Sequence, residues 1–259
     1  MSKVAVVTGG AKGIGKGIVE RLVADGYSVV VADLDKAAAE ATAKEVNDKG
    51  GKAVAAVGDA SLKETHHAYV KVAVDTFGRL DTYINNAGVA RIKLLEDETP
   101  EDIERVFKIN VYGTIYGMQA ATEQFDKQND GDKTRKIINA ASIAAHIAFD
   151  ILGVYSATKF AVRALTQAGA KELGKRNITV NAYCPGIVGT EMWGFIDAEM
   201  CKLRGGNEGD WLNTYSKNIT LGRVQTPEDV ANFVSFLAST DSDYITGQSV
   251  QTCGGIQFV

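Results

Sequence analysis

Tyr155 and Lys159 stand four residues apart in "GVYSATKF" (153–160), among small residues and in a helical setting. Side chains at i and i+4 share one helix face, so a phenol and an ammonium can enter the same pocket. An unperturbed phenol has a pKa of about 10 and is a poor base near neutrality. Lowering it by about 2–3 units requires roughly 3–4 kcal/mol of preferential phenolate stabilisation, which a close ammonium can supply. A phenol tuned in this way can exchange a proton with an alcohol or carbonyl oxygen. The same spacing also describes a surface lysine beside a half-buried tyrosine, so the pair needs the rest of the chain to give it meaning.

The elements that must position the pair are legible as alternating patterns. Apolar runs at 3–8, 28–33, 52–58, 80–85, 136–142, 178–183 and 247–252 read as strands, separated by stretches long enough for helical crossovers. One helix runs from about Ile14 to Ala24, a second to about Lys49, and Pro227 opens the last. Continuously apolar strands alternating with helices predict a doubly wound, mostly parallel sheet of about seven strands, with helices on both faces: a single-domain Rossmann fold over 1–259. The segment 190–218 fits no strand, carries both tryptophans and is a candidate substrate lid. The polar stretch 126–136 reads as a helix end and loop.

With 259 residues, 45% of them hydrophobic, the chain can bury a large core. Its 28 basic and 32 acidic residues are interspersed, which argues against nucleic acid or an anionic membrane as principal partner. Neither a secretory signal pattern nor a membrane-length apolar run is apparent, so a soluble, cytoplasmic protein is expected. Cys184, Cys201 and Cys253 are too scattered for a disulfide framework, and with His66, His67 and His146 they form no zinc spacing. No metal is expected, and His66 and His67 read as a solvated helix face.

"VTGGAKGIG" (7–15) puts Gly9, Gly13 and Gly15 between the first strand and the first helix. Glycines allow the tight turn and the close approach of a pyrophosphate, and the helix N-terminus supplies free N–H groups. The second strand ends on Asp33, where a carboxylate can take the ribose hydroxyls of an adenosine. A 2′-phosphate about 4 Å from Asp33 would be repelled by roughly 4 kcal/mol per charge pair at an effective dielectric near 20, which favours NAD over NADP. Lys12 is the opposing signal, a cation beside the same turn.

Taken together, the Gly9/Gly13/Gly15 turn, "NNAG" (85–88), "IN" (109–110), Ser142, "YSATK" (155–159) and "PGIVGT" (185–190) resemble the classical short-chain dehydrogenase/reductase family, over essentially the whole chain. The resemblance implies a catalytic group of Asn110, Ser142, Tyr155 and Lys159. Gly9, Lys12, Gly13, Ile14, Gly15 and Asp33 would hold the adenosine end of the cofactor, with Asp59 and Ala60 near the adenine. Asn86 and Gly88 would line the middle of the cleft, and Pro185, Gly186, Val188 and Thr190 would flank the nicotinamide. Tyr155 would serve as acid and base, Lys159 would hold the nicotinamide ribose as well as tune the phenol, Ser142 would bind the substrate oxygen, and Asn110 would order a water path from Lys159. A homotetramer is implied too, and the apolar tail "IQFV" (256–259) would suit either a subunit contact or a packed terminus.

A narrower likeness is carried by "INAASIAAH" (138–146), "VYSATKFAVRALTQ" (154–167), "TVNAYCPGIVGTEMW" (179–193), "ITLGR" (219–223) and "SDYITGQS" (242–249). These are similar to the acetoin/diacetyl reductases, also called 2,3-butanediol dehydrogenases. The likeness implies an NADH-dependent, reversible reductase of small vicinal diketones and hydroxyketones. Ser142, Ile143, His146, Phe149, Met192 and Trp193 would form the substrate pocket, although Ile143 and Trp193 could equally be core. Apolar Ile143 resembles the form that handles the L-diol. Cys253 departs from the pattern, standing where an aspartate is usual before two glycines, and this puts local packing in question. Reductases of other small ketones, such as sugar- or polyol-derived ones, and a nucleotide-sensing module without turnover are the competing readings. Retention of Tyr155 and Lys159 opposes the second.

Overall fold

The computed structural model describes residues 2–128, 131 and 133–258. Seven strands form one sheet in the order β3-β2-β1-β4-β5-β6-β7. They are β1 (Val4–Thr8), β2 (Ser28–Asp33), β3 (Lys52–Val57), β4 (Thr82–Asn85), β5 (Arg135–Ala140), β6 (Ile178–Pro185) and β7 (Ser249–Thr252). Every neighbouring pair is parallel. The expected strands are all present. Four boundaries move by two residues: β4 starts at Thr82, β5 stops at Ala140, β6 continues through Pro185 and β7 starts at Ser249.

The helices are α1 (Gly13–Ala24), α2 (Lys36–Asp48), α3 (Lys63–Phe77), α4 (Pro100–Phe107), α5 (Gly113–Gln128), α6 (Gly153–Leu173), α7 (Glu191–Arg204), α8 (Asp210–Ser216) and α9 (Pro227–Ala238). Strand side chains alternate between faces, so β1 splits its residues between two cores. Ala5 and Val7 pack with Ile18 and Leu22 of α1 and Val230 and Val234 of α9. Val4 and Val6 pack with Tyr69 and Val70 of α3, Ala120 and Phe125 of α5, and Leu173 of α6. Each large aliphatic side chain fully buried in this way contributes about 1.5–3 kcal/mol. Pro227 opens α9 as expected, behind a capping box in which Thr226 and Asp229 satisfy each other's backbone N–H groups.

The chain winds outward in opposite directions from β1 and β4, leaving a crevice beyond the carboxyl ends of these strands. The glycine turn, Asp33, Asn86 and Ser142 all lie at or just beyond strand ends on that side. In the polar stretch 126–136, α5 runs to Gln128 and β5 begins at Arg135; residues 129, 130 and 132 lie outside the described residues. No described helix is long and apolar enough to cross a membrane.

Candidate active site

Tyr155 and Lys159 occupy the first turns of α6, where their spacing brings them together as the sequence predicts. Lys159 is 5% exposed, and its Nζ lies 5.6 Å from the centroid of the Tyr155 ring. The ammonium donates to the carbonyl of Ala140, at the end of β5, over 2.8 Å. Ser142 follows that strand end and caps a short turn over Ile143–Ala145, its Oγ accepting the N–H of Ala144 at 3.1 Å. The Tyr155 phenol hydrogen-bonds Ser142. Thus the carboxyl end of β5 and the start of α6 place all three groups at one point.

The protein groups around Tyr155 do not by themselves lower the phenol's pKa. Burial pushes the Tyr155 phenol up, and the Ser142 hydrogen bond offsets this only in part. Burial also pulls Lys159 down, to about 8, so the ammonium is itself strained by desolvation. Both groups pay to carry charge in this pocket, and burial outweighs the attraction a phenolate would gain. The pocket's own groups therefore keep a neutral phenol, which is the proton-donating form.

Asn110 sits within a π turn, Lys108–Tyr112, between α4 and α5, not in a regular helix. Its carboxamide takes both main-chain groups of Val89, with Oδ1 accepting the N–H at 2.9 Å and Nδ2 donating to the carbonyl at 3.0 Å. Nδ2 also reaches Thr158 Oγ1 at 3.1 Å, and Thr158 donates to the Tyr155 carbonyl at 2.7 Å. Asn110 thereby clamps the "NNAG" strand end to the catalytic helix. A Cβ placed on Gly88 would stand 3.3 Å from Asn110 Oδ1 and 3.5 Å from Lys159 Nζ, so Gly88 keeps the space between them open.

The glycine turn fits a dinucleotide. Gly9 and Gly13 have φ of +61° and +51°, conformations that side chains disfavour. A Cβ on Gly15 would fall 1.9 Å from the Gly9 carbonyl, so only glycine allows the helix to start there. No side chain caps α1, which leaves its first N–H groups available for phosphate oxygens. Asn86 holds the turn from behind: Nδ2 donates to the Thr8 and Gly9 carbonyls at 2.9 and 3.0 Å, and Oδ1 accepts from Tyr183 Oη at 2.8 Å.

Asp33 fixes the neighbouring strand end, its two oxygens accepting the N–H groups of Ala11 and Asp35 at 3.0 Å each. Lys12 is paired with Asp35 at 3.0 Å, so its charge is already matched next to Asp33. Asp59 accepts the N–H of Ser61 at 2.8 Å, and Ala60 follows it at the exit of β3.

A cleft of about 160 Å³ opens above Ser142, Tyr155 and Lys159. Ile14, Asn86, Gly88, Ser142, Ile143, Phe149, Tyr155, Lys159, Pro185, Gly186, Val188, Thr190, Met192 and Trp193 line it. Gly9, Lys12, Gly13, Gly15, Asp33, Asp59 and Ala60 lie outside it, toward the outer part of the crevice. His146 is not in its wall. It faces Arg163 and Ser249 instead, its Nε2 buried without a partner among the described residues and its pKa lowered chiefly by burial. Ser142, Ile143 and Ala144 line the cleft, and the short turn over Ile143–Ala145 ends at His146, outside it.

Sequence reasoning missed Asp150, Leu152, Ile196, Met200, Tyr215 and Ile256, which also line the cleft. Met192, Ile196 and Met200 form an i, i+4, i+8 stripe on α7 that could have been read. Nothing local marks Asp150 or Ile256. Trp193 takes both expected roles, packing on the Ile92–Ile151–Ile196–Met200 cluster while facing the cleft. Ile151 has φ of +54°, which for a β-branched residue costs on the order of 1–3 kcal/mol, and its carbonyl is held by the N–H of Lys93 at 2.8 Å. Arg204 at the end of α7 pairs with Asp150 beside that bend.

The segment 190–218, which fits no strand, holds two helices, α7 and α8. Asp197 on α7 is 2% exposed and accepts the N–H groups of Gly209, Trp211 and Leu212 at 2.6, 3.0 and 2.9 Å. Cys253 fills its place as a buried thiol whose Sγ lies 3.5 Å from the Gln257 carbonyl, pressed on Gly186. Ile256 of the tail turns into the cleft, Phe258 is exposed, and residue 259 lies outside the described residues. His66 also departs from expectation. It is 1% exposed, between Tyr83 and the Ala60 carbonyl, whereas His67 is half exposed, 3.8 Å from Glu123. Two adjacent helical residues point about 100° apart, so one can face the sheet while the other faces solvent.

Known proteins agree with this geometry. A diacetyl reductase, (S)-acetoin forming, from Staphylococcus epidermidis is 51% identical over 259 residues, covering 100% of both chains. An L-2,3-butanediol dehydrogenase from Corynebacterium glutamicum is 50% identical over 261 residues, again covering 100% of both. Among solved structures, a variant of the actinorhodin polyketide ketoreductase with NADPH superposes with a TM-score of 0.93 at 28% identity, covering 98% of this chain and 97% of that one. Residues 3–200 match the short chain dehydrogenase model. With its parallel sheet, glycine turn and Ser142–Tyr155–Lys159 cluster in place, the chain belongs to the short-chain dehydrogenase family of oxidoreductases.

Proposed function

We propose that the protein reduces small vicinal diketones and hydroxyketones with NADH, diacetyl to acetoin and acetoin to 2,3-butanediol, and runs in reverse on the diol. The observation that carries this reading is the mostly apolar cleft of about 160 Å³ that ends on Ser142, Tyr155 and Lys159. Ile143, Phe149, Met192 and Trp193 give it walls suited to methyl groups. The two full-length relatives named for this chemistry support the same substrate class.

When bound, the reduced nicotinamide supplies the hydride that reaches the carbonyl carbon. Tyr155, kept neutral by burial, donates its proton to the carbonyl oxygen as negative charge develops there. Ser142 donates a hydrogen bond to the same oxygen and fixes which face of the carbonyl is presented. After the transfer, Lys159 and Ser142 stabilise the phenolate until it is reprotonated. Lys159 Nζ spends one bond on Ala140 and keeps others for the nicotinamide ribose. Asn110 acts by holding Val89 and Thr158 in place.

Asp33 and Asp35 outnumber Lys12 at the adenosine end, and Glu191 adds to the negative field there. That balance favours the ribose hydroxyls of NADH over a 2′-phosphate. The helix pair α7–α8 is the lid over the cleft, tied to its wall by Arg204 and Asp150. A homotetramer in the cytoplasm completes the reading. Phe236, Tyr244 and Val250 form exposed apolar positions around α9 and β7 that a second copy would cover.

The test is the oxidation of NADH, and separately NADPH, with diacetyl, acetoin and a panel of sugar ketones. Rapid NADH turnover with the four-carbon substrates is expected. Turnover confined to the sugar ketones would replace the substrate class. Binding of NADH without turnover on any of them would replace the enzyme by a nucleotide-sensing module.

A further inference from the structure

The outer wall of the crevice, where β3 ends, is braced from within by α3. Gly58 leaves the strand with its N–H on the Asp33 carbonyl at 3.0 Å. Tyr69 Oη donates to the Gly58 carbonyl at 2.6 Å, and two residues later His66 Nε2 meets the Ala60 carbonyl at 2.8 Å. A carbonyl only accepts, so Nε2 carries the proton and Nδ1, 2.7 Å from Tyr83 Oη, accepts from that hydroxyl. His66 and Tyr83 are 1% and 0% exposed, so neither finds a replacement partner in water. On the far side of the Ala60 carbonyl lies Gly113, where a Cβ would stand only 2.5 Å from the oxygen. Gly113 is the residue directly after the π turn that carries Asn110. The run 58–61 is therefore fixed at the carbonyls of residues 58 and 60 by side chains and seated on the start of α5, next to the turn that carries Asn110.

Resting on the dinucleotide reading above, we propose that His66 is a positioning residue for the adenosine half of the cofactor, fixing the Ala60–Ser61 peptide through its Nε2–H so that the outer face of the loop is preformed for the adenine. Ligands bind beyond the carboxyl ends of strands at such a switch point, and this loop sits beside Asp33 at that edge. A loop ordered before binding spares the complex the cost of ordering it. His66 touches neither reacting atoms nor the cleft, so its effect falls on adenosine affinity and leaves the proton relay alone.

Two conservative replacements separate this role from that of an ordinary core histidine. Gln places an amide N–H near the Nε2 position and keeps the bond to Ala60. Asn places its carbonyl near Nδ1 and keeps only the bond to Tyr83. The inhibition constant of adenosine 5′-monophosphate against NADH is measured for both, with kcat on acetoin. His66→Asn is expected to raise the constant about tenfold, the equivalent of one lost buried hydrogen bond, with kcat within about twofold. His66→Gln should remain near the unaltered protein. Tyr69→Phe, which removes the other brace at Gly58, should move the constant in the same direction as His66→Asn. Equal effects of Asn and Gln, or an unchanged constant in His66→Asn and Tyr69→Phe, would overturn the proposal. Failure of AMP to compete in the unaltered protein would remove the adenosine assignment itself, and this proposal with it.

Discussion

The two ends of the crevice are built by different means. At the adenosine end the contacts are made by backbone: Gly9, Gly13 and Gly15 shape the turn, strand ends set Asp33 and Asp59, and charges there stay near water. At the other end the cleft is lined by side chains from β5, β6, α6, α7 and α8, with Lys159 buried and Tyr155 partly buried in its wall. On the function proposed above, the first end gains affinity from local chain geometry. The second gains reactivity from desolvation, which disfavours charging of Lys159 and Tyr155.

Four substitutions test this contrast. The largest effect belongs to Tyr155→Phe, which removes the proton donor and should lower kcat by about a thousandfold, within the usual range for a general acid. NADH affinity, read by fluorescence titration, should change little. An active variant would place the donor elsewhere. Gly15→Ala should raise the KM for NADH by about a hundredfold, because its Cβ would fall 1.9 Å from the Gly9 carbonyl and the turn would have to open. The KM for acetoin should be nearly unaffected, and loss of both together would mean that the two ends are not separable.

Lys159 probes the cost of burial through pH. Its folded pKa of about 8 lies below the ordinary lysine value of 10.5 that applies when unfolded, so the unfolded chain holds the extra proton between those values. Stability should therefore rise as pH increases through that window. Relative to Lys159→Met, which cannot titrate, the unaltered protein should gain on the order of 3 kcal/mol between pH 7 and pH 11, measured by urea unfolding. A difference that does not change with pH would mean that the ammonium is not desolvated. The smallest effect is expected for Lys12→Ala, since Lys12 is exposed and paired with Asp35. KM values for NADH and NADPH should both shift less than about threefold. A selective loss of NADPH use would show that Lys12 serves a 2′-phosphate.

The same contrast explains what the chain revealed before it was folded. The strands and the turn at the adenosine end follow from short apolar runs and glycines, whose constraints are local, so the turn, Asp33 and the parallel sheet could be read directly. The Tyr155–Lys159 pair was legible because helical spacing is local too. Its electrostatics were not, because the depth of Lys159 depends on β5 and β6 closing over it. His146 was misplaced because a 3₁₀ turn after Ser142 redirects the chain, and Asp150 and Tyr215 were missed because they reach the cleft from segments far apart in sequence. His66 illustrates the limit most sharply. Its neighbour His67 has the same residue type and a solvated face, and only the packing of α3 on β4 tells them apart.

Asp197 gathers three main-chain N–H groups of the α8 start onto one buried carboxylate. In engineering terms, 191–216 is a single interchangeable cassette. Its two helices share one fastener, so a graft that carries one without the other leaves a buried charge unpaired or a helix start uncapped. On the lid reading proposed above, an exchange meant to alter substrate range carries Asp197 and residues 209–212 together and keeps the seat on Ile92 and Ile151.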